Sequence, residues 1–318
     1  MKLISPIDQL AEVDALLQAG ADELYGGYVP PEWQQRFGML ASINQRTFAG
    51  AQINSFADLE KIVASCHEQN RDFALTLNAP FYSDKQVPLL IDYVGEAVSA
   101  GVASVILADL GLLRVLKREF PDLLYHASTL AHLGNSAAVE FYRQQGIGRA
   151  VLPRHLQLAE IAEIVKKVKG IGFDAFLLVG KCPNTEGYCT FHHSSLRKIW
   201  PCEIPYCIEP VGETSPQLQL AIAKQQSWSQ TDRRHGCGLC AIPRLMTAGI
   251  SGLKLVGRGA PLLRKVKNLQ LAKEFLRLAA EKLPFAEYHR RAVAAHRKHF
   301  GIGCSENVCY YPELYRSN

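Results

Sequence analysis

Eight short β-rich segments recur along the chain, and most are followed by an amphipathic stretch of helical length. They are KLIS (2–5), ELYGG (23–27), FALTLN (73–78), SVILAD (104–109), LLYHAS (123–128), RAVLP (149–153), DAFLLVG (174–180) and GLKLVG (252–257). Strands that are buried on both faces and joined by helices form parallel sheets. Eight such units predict a closed (β/α)8 barrel of the TIM type. A doubly wound open sheet is the alternative, but no glycine-rich dinucleotide fingerprint follows the first segment.

Two parts of the chain depart from this repeat. Residues 181–240 form a cysteine-rich insertion after the seventh strand, with a polar and irregular sequence. Residues 284–318 form a C-terminal tail, with one basic helix (AEYHRRAVAAHRKHF) and a short cysteine-bearing end. The predicted barrel therefore occupies residues 1–283, and the insertion lies within it.

The composition limits the class of protein. Of the 318 residues 48% are hydrophobic, which suffices for a large buried core and excludes a disordered chain. The net charge of +5 permits contact with RNA and suits a small anionic ligand equally well. The N-terminus lacks a signal-peptide pattern and no apolar run reaches the ~20 residues of a membrane span, so we expect a cytoplasmic protein. Nine cysteines in a reducing compartment indicate metal or redox chemistry.

Polar side chains follow most of the predicted strands, where the C-terminal ends of barrel strands carry the chemistry. The candidates for catalysis are Asn78, Asp109, His126, Ser128, Arg154 and Lys254. Asn78, Asp109 and Ser128 have an alternative role, because these residue types also cap helices and turns. Their convergence on one mouth favours a site there.

Two further segments are candidates for substrate binding. In LKLVGRGAPLLRK (253–265), Gly257 and Arg258 precede a predicted helix, so backbone N–H groups and a guanidinium would meet an anion. The alternative is a tight turn that needs Gly257 and Gly259 for its backbone geometry. Arg46, in SINQRTFAG (42–50), is a candidate that could equally be a solvated loop charge.

The cysteines cluster late in the chain. Cys66 is the exception, and its helical surroundings indicate a small buried hydrophobe. The insertion holds three pairs: Cys182 with Cys189, Cys202 with Cys207, and Cys237 with Cys240. Four thiolates hold either a structural zinc or an iron–sulfur cluster, and the wide, uneven spacing favours the cluster. Cys304 and Cys309, in the tail, are free thiols, a latent pair or further ligands.

The chain resembles peptidase family U32, the collagenase-like group that includes iron–sulfur proteins of oxygen-independent hydroxylation. The resembling segments are ADELYGG (21–27), FALTLN (73–78), GVASVILADLGLL (101–113), DLLYHASTLAHLGNSAAVEF (122–141), RAVLPRHLQLAEIAEI (149–164) and LMTAGISGLKLVGRG (245–259). The family signature appears as Asp174, Phe176, Cys182, Gly187 and Cys189. The match departs from the family at Asp174, which replaces Glu, at His192, which replaces Ser, and at His155, which replaces a Glu after Arg154.

The resemblance implies a barrel with a 4Fe–4S cluster that acts in hydroxylation of ubiquinone precursors or of RNA bases, with prephenate as an oxygen source. Carried over by position, the ligands are Cys182, Cys189, Cys202 and Cys237. Cys207 and Cys240 are the alternates, although the pair at 202 and 207 is one residue wider than the family's C-x3-C.

The predicted function is therefore that of an iron–sulfur-dependent hydroxylase. Arg154, Lys254, Arg258, Arg46 and the His126–Ser128 stretch would orient a small anionic or aromatic substrate, such as a prephenate-like dicarboxylate. RNA contact through the basic tail helix and a homologous U32 partner remain open. The alternatives are a U32-type peptidase, for which no H-E-x-x-H or G-x-S-x-G pattern is present, and a zinc-stabilised partner without catalysis.

Overall fold

Eight parallel strands close into one barrel in the order of the sequence, and β8 pairs with β1. The computed structural model describes residues 1–38, 43–46, 48–182, 186 and 206–316. The strands are β1 Lys2–Pro6, β2 Glu23–Gly26, β3 Asp72–Leu77, β4 Ser104–Leu107, β5 Leu124–Ala127, β6 Arg149–Val151, β7 Gly172–Leu178 and β8 Gly252–Leu255. The predicted (β/α)8 barrel is confirmed, and each strand coincides with one predicted segment.

The helices of the described residues surround this barrel and extend into the insertion and the tail. They are α1 Val13–Ala19, α2 Pro31–Phe37, α3 Phe56–Glu68, α4 Val87–Ser99, α5 Leu110–Glu119, α6 Ser136–Gln144, α7 Leu158–Lys167, α8 Pro216–Ser229, α9 Ile242–Ala248, α10 Leu262–Ala280, α11 Phe285–Phe300 and α12 Pro312–Arg316. Helix α8 lies in the insertion that the sequence pattern indicated as irregular. Its start follows from Ser215, whose hydroxyl accepts from the Leu218 amide, and from Pro216 in the first turn.

The barrel interior combines apolar and ionic layers. Ile4, Tyr25, Ala74 and Ile106 form one buried apolar cluster. An ionic layer joins Arg149 of β6 to Glu23 of β2 at 2.6 Å and to Asp174 of β7 at 3.6 Å. Buried charges persist only when they are paired in this way.

The tail packs onto the end of β7. The Tyr311 hydroxyl donates to the Phe176 carbonyl at 3.2 Å, and the Tyr310 hydroxyl donates to that of Val179. Glu313 accepts from the Leu158 amide at the start of α7, at 2.8 Å. The tail thus covers the seventh strand on the side where the cysteine-rich insertion begins. Among the described helices, none is both long enough and apolar enough to cross a bilayer.

Candidate functional site at the mouth of the barrel

Tyr25 and Lys254 mark the centre of the mouth. The Tyr25 hydroxyl donates to the Leu255 carbonyl at 2.8 Å, and the ammonium of Lys254 lies 3.9 Å from the centroid of the Tyr25 ring. Burial raises the pKa of Tyr25 to about 12. Burial lowers the pKa of Lys254 to about 8, although Asp174 and Glu23 partly oppose the shift. Lys254 is therefore a buried cation at neutral pH, and it loses its charge as the pH rises through about 8.

Arg258 projects into this mouth from the turn after β8. It is 8% exposed, and it donates to the Thr76 hydroxyl at 3.1 Å and to the Asn44 carbonyl. Both acceptors are uncharged oxygens. Burial lowers the pKa of Arg258 from its ordinary value. A Cβ on Gly27 would lie 2.2 Å from the Asn44 amide nitrogen, so glycine is required where this loop approaches the barrel.

Arg46 lies beside Arg258 and is partly buried, not a solvated loop charge. It donates to the Gln45 carbonyl at 2.7 Å, and its own carbonyl accepts from Gln52. Asn44 and Gln52 exchange hydrogen bonds of 2.8 and 3.0 Å, which hold the loop. Burial and the charge of Arg258 lower the pKa of Arg46 to about 9. Two guanidiniums that repel each other in a buried mouth favour the binding of an anion.

Arg154, the third arginine at the mouth, is held by a carboxylate. Its Nε lies 2.6 Å from Oε1 of Glu186, and its guanidinium lies 4.1 Å from the centroid of the Phe176 ring. Glu186 also accepts from the Arg154 amide and from the Thr129 hydroxyl, each at 2.8 Å. Sequence reasoning missed Glu186. The sequence held one indication, because His155 replaces the glutamate that follows this arginine in the family. The carboxylate that pairs with Arg154 therefore comes from another loop.

His126 lies within β5 and Ser128 directly follows it, but the two do not form a catalytic pair. Burial, helped by Arg149 and Lys254, lowers the pKa of His126 well below its ordinary value, so the imidazole is neutral. The Ser128 hydroxyl accepts from the Leu130 amide at 3.3 Å and caps a short turn. Among the described residues no hydrogen bond joins the two side chains.

Asp109 and Asn78 behave differently. Asp109 caps α5 by accepting from the Leu112 amide at 2.8 Å, and its second oxygen accepts from the Tyr82 amide at 2.9 Å. Both oxygens therefore have structural partners. The amide oxygen of Asn78 is buried, and within the described residues it has no hydrogen-bond partner.

The glycine turn after β8 forms as a tight turn. Gly257 has φ +135° and Gly259 has φ +77°, conformations that disfavour other residues. The Gly259 amide donates to Asp8 at 2.6 Å, and Asp8 in turn bonds to Lys265 at 2.5 Å. That amide is already committed to a carboxylate of the protein, which favours the turn interpretation over the anion site at this position.

The predicted cysteine ligands lie in different places. Cys182 is half-buried, close enough to Arg154 and Lys181 for its charge to affect both. Cys189 and Cys202 lie outside the described residues. Cys207 is exposed, with its sulfur 3.7 Å from the Gln226 amide nitrogen.

Cys237 lies in a different group. It is buried, and burial together with the neighbouring thiols of Cys240 and Cys304 raises its pKa. It pairs through its backbone with Cys309 of the tail. The structure therefore groups Cys237 with Cys240 and the tail cysteines.

The family model for peptidase family U32 matches residues 8–312. A tRNA hydroxylation protein P of Haemophilus influenzae is 26% identical over 188 residues, which are 59% of this chain and 38% of that protein. A tRNA hydroxylation protein P1 of Bacillus subtilis is 25% identical over 265 residues, which are 81% of this chain and 58% of that protein. The matched regions thus cover only 38% and 58% of the length of these two relatives. A solved U32 peptidase aligns with a TM-score of 0.45 and 14% identity, over 56% of this chain and 68% of that one.

Proposed function

The chain belongs to peptidase family U32, and on that premise we propose that it acts in the oxygen-independent hydroxylation of an RNA base or a small aromatic quinone precursor. The mouth of the barrel would hold a carboxylate anion as the oxygen donor. The names of the relatives in Haemophilus influenzae and Bacillus subtilis support hydroxylation of RNA as the first substrate class. The excess of positive charge at the mouth supports the anion.

The observation that carries the proposal is the placement of Arg46, Arg258 and Lys254 around Tyr25. The lowered pKa values of all three cations record the free-energy cost of holding them together away from water. A bound anion would reduce that cost. Guanidinium groups pair with carboxylates through two parallel hydrogen bonds, so a dicarboxylate such as prephenate suits two neighbouring arginines.

The residues of the mouth would divide the work. Arg258 and Arg46 would bind the carboxylates, and Lys254 would add charge from below the Tyr25 ring. Arg154 is fixed by Glu186 and Phe176, so it would position the edge of the substrate without rearranging. His126 is neutral and next to the ionic layer, where it can donate or accept one hydrogen bond but carries no charge.

We further propose that the chain binds a 4Fe–4S cluster through Cys182, Cys189 and Cys202. The cations Arg154 and Lys181 near Cys182 favour its thiolate, the form that binds iron. For the fourth ligand Cys207 now takes precedence over Cys237, because Cys237 belongs to another group of thiols. When bound, such a cluster supplies single electrons; zinc at the same thiolates would be structural.

Metal analysis of anaerobically purified protein tests the cluster. We expect about four irons and four sulfides per chain in the wild type and in Cys66→Ser, a buried cysteine of α3 used as the control. Cys182→Ser should lose most of the iron. Stoichiometric zinc at these thiols, with no iron, would refute the redox role.

Mass spectrometry of cells that lack the gene tests the substrate class. The RNA proposal predicts that one hydroxylated nucleoside disappears from tRNA or ribosomal RNA and returns with the wild-type gene but not with Cys182→Ser. Loss of a quinone instead would favour the aromatic precursor. Unchanged RNA and quinones under anaerobic growth would contradict the proposed function.

A further inference from the structure

Four cysteines from two distant segments line one small cavity behind the barrel mouth. Cys237 and Cys240 precede α9, and Cys304 and Cys309 follow α11. The cavity has a volume of about 10 Å³, which is close to the space that a single water molecule or ion requires. Much of the remaining wall is apolar and comes from Ala241, Ala292, Val293 and Leu314.

The backbone holds the two segments in a fixed register. The Cys237 amide donates to the Val308 carbonyl at 2.9 Å, and the Tyr310 amide donates to the Cys237 carbonyl at 2.9 Å. Cys237 and Cys309 thereby form a parallel bridge. Their approach is set by backbone hydrogen bonds and does not depend on how the thiol groups are turned.

Backbone amides also lie near the sulfur atoms. The Leu239 amide near Cys237 and the Tyr311 amide near Cys309 each oppose the rise that burial causes in the pKa of the thiol. Each of these amides is two residues beyond its cysteine, and the Ser305 amide, one residue beyond Cys304, lowers the pKa of that thiol. Hydrogen bonds from N–H groups stabilise a thiolate more than a thiol, so this backbone suits deprotonated sulfur.

A histidine supplies an independent observation. His296 of α11 lines the same cavity and is 1% exposed, and no hydrogen bond of ordinary geometry reaches its ring nitrogens within the described residues, although the nearby Gly303 backbone opposes part of the fall that burial causes in its pKa. Burying an imidazole without hydrogen bonds is costly, and a bound ion or its ligands would relieve that cost. Lys181 lies near Cys309, where its ammonium would balance part of the charge of several thiolates.

We propose that Cys237, Cys240, Cys304 and Cys309 bind one zinc ion, at a site separate from that of Cys182. The C-x2-C spacing of Cys237 and Cys240, the apolar wall and the volume of one ion fit a closed tetrahedral zinc site better than a larger cluster. In the part of the chain that the structure describes, no three His, Cys, Asp or Glu side chains already form a ready metal group. Binding therefore requires the cysteine side chains to rearrange towards the cavity.

The zinc site divides the cysteines of the chain into two sets. Cys182, Cys189, Cys202 and Cys207 form one set, and Cys237, Cys240, Cys304 and Cys309 form the other. The ion would join the tail to the end of the insertion, next to α9, and would thereby fix the tail to the barrel. The inference does not depend on the hydroxylation role.

Paired variants and metal analysis test the site. The wild type should hold about one zinc per chain, and the double variant Cys304→Ser with Cys309→Ser should lose the zinc and keep its iron. Cys182→Ser should lose the iron and keep the zinc, and Cys66→Ser should keep both metals. The site is refuted if the wild type binds no zinc, or if the double variant loses iron and keeps zinc.

Cobalt substitution keeps the proposal falsifiable where the double variant does not fold. Wild-type protein stripped of zinc and loaded with cobalt(II) should show the intense visible bands of tetrahedral cobalt bound to thiolates. A mercurial thiol reagent should then abolish those bands. Weak bands typical of octahedral oxygen ligands would overturn the assignment. If iron is absent but these bands appear in Cys182→Ser as well as in the wild type, the hydroxylation proposal fails while the zinc site stands.

Discussion

Two groups of buried charge lie at the same end of the barrel, and they differ in whether the cation is paired with a carboxylate. In the first, Lys265 bonds to Asp8 at 2.5 Å and to Glu12 at 2.7 Å, and its side chain is 1% exposed. In the second, Arg258 is also buried but donates to the neutral oxygens of Thr76 and Asn44. In the first group the ammonium is fully paired with carboxylates, and this pairing stabilises the fold. The second keeps its positive charge, which is the property expected of a binding site for anions.

The largest effect on stability is expected when the cation of the first group is removed. Lys265→Met leaves two buried carboxylates without their cation, and we expect the free energy of unfolding to fall by about 3–5 kcal/mol. Urea unfolding measures it. Lys273→Met, an exposed lysine on the same helix, should change stability by less than about 0.5 kcal/mol. A comparably small loss for Lys265→Met would show that the pairing is not structural.

A smaller effect is expected when the positive charge of the second group is increased by removing a nearby carboxylate. Glu186→Gln removes the carboxylate from Arg154, and we expect stability to fall by about 2 kcal/mol. Affinity for a dicarboxylate should rise several-fold, because one more guanidinium becomes available. Glu209→Gln, an exposed glutamate of the insertion, is the control. Weaker binding in Glu186→Gln would mean that Glu186 itself contacts the ligand.

The pH dependence of binding should follow Lys254. Its pKa of about 8 in the protein means that the ammonium is charged below that pH and is lost above it. Affinity for an anion should therefore be full near neutral pH and fall as the pH rises through about 8, by at most tenfold per pH unit. Lys254→Met should remove this fall, which leaves only the later titration of Arg46. A wild-type affinity that is flat across this range would contradict the role of Lys254.

The smallest expected effect separates a cap from a catalytic group. Asp109→Ala removes the acceptor for two amides and should cost about 1 kcal/mol of stability. Because both carboxylate oxygens already have structural partners, the affinity for an anion should stay within about twofold. Asp92→Ala, an exposed aspartate of α4, should change neither quantity. A large loss of anion affinity in Asp109→Ala would show that Asp109 belongs to the binding site.

The sequence predicts the barrel well because each strand and helix follows from local periodicity and local caps. Lys254 and Arg258 were also predictable, since the ends of barrel strands point at one mouth. Tyr25 lies near the end of β2 and follows from the same rule, but Glu186 was not predictable. The role of Glu186 depends on its contact with Arg154, which is distant in the chain.

The cysteines show the same limit. The resemblance to the family assigns Cys237, with Cys240 as its alternate, to the cluster of Cys182. The fold instead brings the tail across β7 and places Cys309 beside Cys237. A pairing that a tertiary contact creates leaves no trace in the spacing of either segment.

Calorimetric titration with prephenate, on anaerobically purified wild type and Arg258→Met, tests the central claim most directly. Arg290→Met, an exposed arginine of the tail helix, serves as the control. The account predicts one saturable site per wild-type chain, weakened at least about tenfold in Arg258→Met because a charged hydrogen bond is lost, and unchanged in Arg290→Met. Equal affinity in all three proteins, or no saturable binding to the wild type, would contradict the assignment of the mouth as an anion site.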